Sequence, residues 1–154
     1  MKTRVLRKGA IALMATVASA LMLMVGAAPA FASGYGYDGT NPFTTGCSSS
    51  GTAIVDFPIN RTSDGARVGT ARVMYSTVCG TNWVAVDNWI SGATALKYID
   101  RASPWFQQGE LDAVTGWSFG MQAYAPGSTC ITIQGSLTIP GDANYASSGF
   151  KFVC

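Results

Sequence analysis

Residues 130–139 read CITIQGSLTI, and this stretch decides the fold class of the chain. Its large aliphatic residues alternate with polar ones and fall on one face: Ile131, Ile133, Leu137 and Ile139. A period of two is typical of an antiparallel strand with one buried face. Pro126-Gly127 before the stretch and Pro140-Gly141 after it predict turns at both ends.

Outward from this strand, the same kind of pattern recurs. Residues 51–57 (GTAIVDF) and 69–75 (GTARVMY) are identical at four of seven positions, which predicts two neighbouring strands joined through a turn at 63–65. Further strands are predicted at 82–89, 95–100, 117–124 and 150–153, and one helical turn at 106–111. We predict an all-β fold, a small antiparallel sandwich or barrel of about seven short strands braced by two disulfides.

Residues 1–32 have the pattern of an export signal. Four basic residues lie in the first eight positions, an uncharged apolar run covers 9–28, and Ala30-Phe31-Ala32 matches a signal-peptidase site. The alternative is that the apolar run stays in the chain as a membrane anchor. We predict a cleaved signal at 1–32, a flexible Gly/Tyr-rich segment at 33–46 and a single β-domain at 47–154. The protein is then secreted, extracellular or associated with the cell wall.

The charge of the chain changes when the signal is removed. Of its ten basic residues, four belong to the signal, so that six basic and eight acidic residues remain, a net charge of −2. The remaining basic residues are dispersed along the sequence. Nucleic acid and, after cleavage, the membrane surface are therefore not expected partners.

Four cysteines, Cys47, Cys79, Cys130 and Cys154, follow the signal. An exported domain is expected to pair them, and three pairings are possible. We favour Cys47 with Cys79 and Cys130 with Cys154, because each loop then stays within one half of the domain. A zinc site is the alternative, but no C-x-x-C pair occurs in the sequence.

The chain has no histidine, which excludes Ser-His-Asp and Cys-His catalysis. No catalytic residue, cofactor or metal site is assigned, and a non-enzymatic protein is predicted. The carboxylates Glu110 and Asp112 are the one pair that could serve a glycoside hydrolase, with Asp87 or Asp100 approaching them. Two oxygen-rich turns, at 38–41 and 142–144, are weak candidates for calcium, although Asx turns are the commoner explanation for such sequences.

Several aromatic residues are candidates for contact with a ligand. Trp105 and Phe106 follow Ser103-Pro104 in a polar stretch, and Tyr35 and Tyr37 lie in the Gly-rich segment. Exposed rings stack on sugars or anchor a protein partner. The alternative is that they cover the ends of a small core. Trp83, just after Cys79, is expected in the core against a disulfide.

Two motifs carry a resemblance. Tyr37 to Cys47 follows the pattern YDGxxPxxxGC, and Tyr75 to Trp83 follows YSxxCGTNW. Together they resemble an uncharacterised family of secreted domains from Gram-positive, mainly actinobacterial, proteins. The later half is similar, more weakly, to spore-associated secreted proteins of filamentous actinobacteria. The resemblance implies an extracellular bacterial domain and carries over no catalytic residues.

Three functions follow as hypotheses. The first is a non-enzymatic domain that binds cell-wall polysaccharide or another extracellular protein. The second is a secreted effector, either an antimicrobial protein or a protease inhibitor that presents residues 101–108. The third is the carboxylate glycoside hydrolase, which would depend on Glu110.

Overall fold

The structure, a computed structural model, describes residues 34–142 and 145–154. The predicted export signal lies outside these residues, as does the 143–144 part of the second oxygen-rich turn. Two short 3-10 helices, Gly34–Tyr37 and Cys47–Ser50, precede the strands. The strands are β1 (Gly51–Arg61), β2 (Arg67–Ser76), β3 (Thr81–Asn88), β4 (Thr94–Arg101), β5 (Phe106–Asp112), β6 (Gly116–Phe119), β7 (Ala123–Tyr124), β8 (Ile131–Thr138), β9 (Tyr145–Ser147) and β10 (Lys151–Val153).

These strands form one antiparallel sheet that is nearly closed into a barrel, as the all-β prediction required. The order of its strands is β5-β4-β8-β9-β1-β2-β3-β6, with β10 paired to β8 and β7 paired to β3. The predicted pair of similar strands is confirmed, because β1 and β2 are antiparallel neighbours with Phe57 opposite Ala71. The predicted strand at 117–124 is divided into β6 and β7.

The interior of the barrel is filled by small and branched side chains. β8 contributes Ile131, Ile133 and Leu137, each at most 1% exposed, as its alternation predicts. Other members of the core come from β1 to β4: Ile59, Ala71, Val73, Val84, Val86, Ala95 and Ile99. Gly135 lies at the tightest point, since a Cβ there would be 2.5 Å from the Ala71 Cβ.

The predicted helical turn at 106–111 is wrong, because these residues belong to β5, which pairs with β4 along its whole length. The period of two is present in β5, but its more buried positions are Phe106, Gln108, Glu110 and Asp112. Three of these four are polar. The usual apolar alternation is therefore absent, although the backbone completes a regular ladder.

Both disulfides of the favoured pairing are present, Cys47–Cys79 and Cys130–Cys154. Trp83 is buried as predicted, at 1% exposure, but on the other face of β3 from Val84 and Val86. A Cβ added at Gly51 would lie 2.5 Å from Cη2 of Trp83, so the Trp83 ring occupies the space beside this glycine. Trp83 thus belongs to a small second layer outside the barrel, beneath the chain that enters β1.

Candidate functional site

The last residue of β4, Arg101, organises one end of the molecule. Buried and intermediate positions alternate strictly along β4, so that Arg101 shares the inner face with Ala95 and Ile99 and is 2% exposed. Its Nη1 and Nη2 donate to the two carboxylate oxygens of Asp38, at 2.9 and 2.7 Å. Nη1 also donates to the carbonyl of Tyr124, and Nε donates to the carbonyl of Pro104. The guanidinium is therefore compensated by one charge and fixed in one orientation.

Aromatic rings surround this guanidinium. Its carbon lies 4.9 Å from the centre of the Tyr35 ring and 5.6 Å from that of Phe106, both within the range of cation–π attraction. The Tyr35 ring also meets Tyr124 edge to face, with centroids 5.2 Å apart. Trp105, adjacent to Phe106 in the β4–β5 turn, is 72% exposed. We refer to Tyr35, Trp105, Phe106 and Tyr124 as the aromatic rim.

The structure thus brings Tyr35 and Phe106 together around Arg101, and Trp105 precedes Phe106 in the adjoining turn. Tyr35 is 56% exposed, whereas Phe106 is half-buried. The prediction that Tyr37 is an exposed contact residue is wrong, because Tyr37 is only 8% exposed. Tyr124 is a rim residue that the sequence did not single out. Its Ala-Tyr-Ala-Pro context gave no signal for it.

The segment before β1 is bound to the barrel along its length. Asp38 accepts the backbone N–H of Tyr124 at 2.7 Å, and the buried Gln122 side chain donates to the hydroxyls of Thr40 and Thr45 at 2.8 and 2.9 Å. The Thr81 hydroxyl of β3 donates to Oε1 of the Gln122 side chain. The expectation of a flexible segment therefore needs correction for residues 34–46, since main-chain and side-chain bonds hold them in place.

The stretch nominated for protease inhibition does not present its arginine. Arg101 is enclosed by Asp38 and the rim, so that the exposed part of the β4–β5 turn consists of residues 102–105. A protease would meet Trp105 there rather than a cation.

A second charged cluster lies further along the inner face of β4. The side chain of Lys97 has no exposed surface, and its Nζ donates to Asp112 of β5 and to the Ser118 hydroxyl of β6, the latter at 3.3 Å. Because β5 and β6 are the two ends of the strand order, this ammonium bridges the remaining gap in the barrel. Nothing in the sequence around Lys97 had marked it for this position.

The paired carboxylates of the sequence are part of this cluster. Glu110 is the direct cross-strand partner of Lys97, and Asp112 lies two residues further on the same face of β5. One oxygen of each, Glu110 Oε2 and Asp112 Oδ1, is buried without a hydrogen-bond partner.

The two other acids proposed to approach this pair lie elsewhere. Asp87 of β3 accepts the indole N–H of Trp89 at 2.7 Å. Asp100 is on the opposite face of β4 and accepts a weak bond from the Tyr98 hydroxyl at 3.4 Å. Burial, reinforced by the Asp100 charge, raises the pKa of Tyr98. The four carboxylates therefore do not form one site.

A pocket of about 250 Å³ lies near the C-terminal disulfide, and neither Glu110 nor Asp112 lines it. Its lining comes from β1, β2, β3, β8, β10 and residues 125–129, and includes Ile54, Tyr75, Asn82, Val153 and Cys154. Asp38 of the first oxygen-rich turn is engaged by Arg101. Across residues 34–142 and 145–154, no three acidic, cysteine or histidine residues are grouped as a metal would need, and no helix is long and apolar enough to cross a membrane.

Comparison with protein-family models, curated proteins and solved structures finds no match to the chain. The site is therefore interpreted from its own geometry. The two disulfides indicate an oxidising environment for the domain.

Proposed function

We propose that the protein is a secreted binding domain that holds a cell-envelope polysaccharide on its aromatic rim. In this proposal the segment 1–32 is an export signal, and the domain acts outside a Gram-positive cell, in the medium or on the wall. The binding is non-enzymatic. The observation that carries the proposal is the pair of exposed rings at this end of the barrel, Tyr35 over the Arg101 guanidinium and Trp105 in the turn whose Pro104 carbonyl accepts a hydrogen bond from Arg101.

Sugar rings present C–H faces that pack against aromatic rings, while their hydroxyls seek polar groups. The rim offers both kinds of contact, because Tyr35 carries a hydroxyl and Trp105 a large apolar surface that is 72% exposed. Both come from short connections that are bonded to the barrel through Arg101. A surface that is ordered before binding loses little conformational entropy on binding.

The test is a pull-down on insoluble peptidoglycan, chitin and cellulose, with protein expressed from the full chain in an oxidising compartment. We expect retention on at least one polymer and about a tenfold weaker affinity for Trp105→Ala, since one central ring commonly contributes 1–2 kcal/mol. Tyr35→Ala should weaken binding less, because part of its ring is covered by Tyr124.

Phe152→Ala is the matched control, since Phe152 is similarly exposed, at 74%, but lies on β10. It should bind as the unmodified protein does. No retention on any wall polymer would count against the proposal. Equal losses of affinity in Trp105→Ala and Phe152→Ala would show nonspecific hydrophobic adsorption rather than binding at the rim.

A further inference from the structure

The Lys97 cluster is unusual as a simple ion pair. A buried pair recovers its desolvation cost only when hydrogen bonds satisfy the remaining lone pairs of the carboxylate. Here Asp112 contacts the ammonium with one oxygen and leaves Oδ1 buried without a partner, and Oε2 of the neighbouring Glu110 is also buried without a partner. Lys97 itself has no exposed side-chain surface. The arrangement places an amine and two carboxyl groups together at a cost in stability.

We propose that Lys97 and Asp112 are joined by an intramolecular amide bond, formed spontaneously after folding with Glu110 as the group that transfers protons. The proposal concerns this cluster alone and does not depend on the aromatic rim.

The chemistry balances without any further reactant. Glu110 takes a proton from the ammonium, and the free Nζ attacks Cγ of Asp112 to form the C–N bond. This proton and a second one from the attacking nitrogen, also carried by Glu110, pass to one oxygen of Asp112, the bond between Cγ and this oxygen breaks and one water leaves. The net change is an ammonium and a carboxylate to an amide and water, with no change in total charge.

Three features of the cluster favour this reaction. The barrel holds the reacting groups in contact, which replaces a bimolecular encounter by an intramolecular one. The Lys97 side chain has no exposed surface, so that bulk water does not compete with Asp112 for its Nζ. Glu110 is directly opposite Lys97 in the register of β4 and β5, where the Cβ atoms of facing residues are about 5 Å apart.

The product would tie β5, at one end of the strand order, to its only neighbour within the described sheet. Seven residue pairs hold these strands together now. A covalent bond across the inner face would prevent β5 from separating when the barrel opens locally.

The experiment is mass spectrometry of the full chain after both disulfides are reduced. We expect a mass lower than the sequence predicts by one water, and a tryptic peptide in which Lys97 is uncleaved and linked to Asp112. Lys97→Arg and Asp112→Ala should show the full mass. Lys151→Arg, the change at the other lysine among the described residues, should keep the loss of water.

Glu110→Gln separates the roles, because glutamine is nearly the same shape and preserves the fold. It should accumulate unlinked protein with an unchanged circular dichroism spectrum. A linked Glu110→Gln variant would overturn the role of Glu110, and a link mapped to Glu110 would overturn the assignment to Asp112. The full mass in folded unmodified protein would overturn the proposal and leave an ion pair.

Discussion

Strands β4 and β8 are hydrogen-bonded neighbours that fill the same barrel with different chemistry. The inner face of β8 holds Ile131, Ile133 and Leu137, with Gly135 between them, whereas that of β4 alternates small or apolar residues with Lys97 and Arg101. In their register Lys97 lies directly opposite Gly135.

The difference shows what each kind of burial requires. The apolar residues of β8 need only close neighbours, and the barrel supplies them from the adjacent strands. Each cation of β4 needs a counter-charge, which comes from outside the strand pair, Asp112 from β5 for Lys97 and Asp38 from the N-terminal segment for Arg101. β4 therefore connects the barrel to its edges, and both chemically distinctive clusters of the described chain lie along it.

The largest effect on stability should come from removing Asp38, the counter-charge of Arg101 in β4. Asp38→Ala leaves Arg101 buried without its anionic partner, and we expect a loss of about 3–5 kcal/mol in the free energy of unfolding. Urea unfolding followed by tryptophan fluorescence measures it. Asp56→Ala is the matched control, because Asp56 forms the same two-bond pair with Arg72 but on the surface. Similar losses for both variants would contradict the importance of burial.

A smaller effect is expected from crowding β8. Gly135→Ala places a methyl group 2.5 Å from the Ala71 Cβ, and overpacking of this kind costs about 1–3 kcal/mol. Gly109→Ala is the control, since its nearest contact is an ordinary 3.5 Å. Adding Ala71→Gly to Gly135→Ala should restore part of the lost stability. Failure of this second change to help would show that the clash lies elsewhere.

The smallest effect on stability concerns the surface ion pair between Arg72 and Asp56. A hydrogen bond from Arg72 lowers the pKa of Asp56 below its ordinary value of 3.8. The pair therefore stabilises the fold fully above about pH 4, and this contribution is lost as the pH falls through the depressed pKa. Both side chains are partly exposed, so that the contribution is at most about 1 kcal/mol.

Unfolding midpoints of the unmodified protein and of Asp56→Asn should converge as the pH falls from 5 towards 2. At pH 5 the Asp56→Asn variant should already be less stable than the unmodified protein. A constant difference over this range would contradict the assignment of the pH dependence to Asp56.

The contrast between the two strands also explains what could be predicted from the sequence. β8 was predictable because its buried positions are apolar, and β1 and β2 because their sequences repeat. β5 was missed because Gln108, Glu110 and Asp112 occupy its inner face. Trp83 was expected in the core and is buried, but sequence cannot tell which face of a fully buried strand is the interior.

The candidate site was predictable only in its components. Tyr35 and Trp105 were candidates for exposed aromatics, but the position of Arg101, which contacts the Tyr35 ring and the Pro104 carbonyl, follows from the barrel geometry. The same applies to Lys97, since the sequence marked Glu110 and Asp112 without the amine between them. Contacts between distant segments depend on the closure of the sheet, and no local pattern encodes them.

The bonds that hold the N-terminal segment also affect the time course of folding. Thr40 and Asp38 are separated from their partners Gln122 and Tyr124 by 82 and 86 residues. Contacts at such separations close large loops and slow the folding of small domains. Residues 38–45 are synthesised early but cannot complete their bonds until β7 has emerged and joined β3. During that interval Asp38 and Thr40 lack these partners, so that the order of synthesis leaves the N-terminal segment incompletely bound until folding finishes.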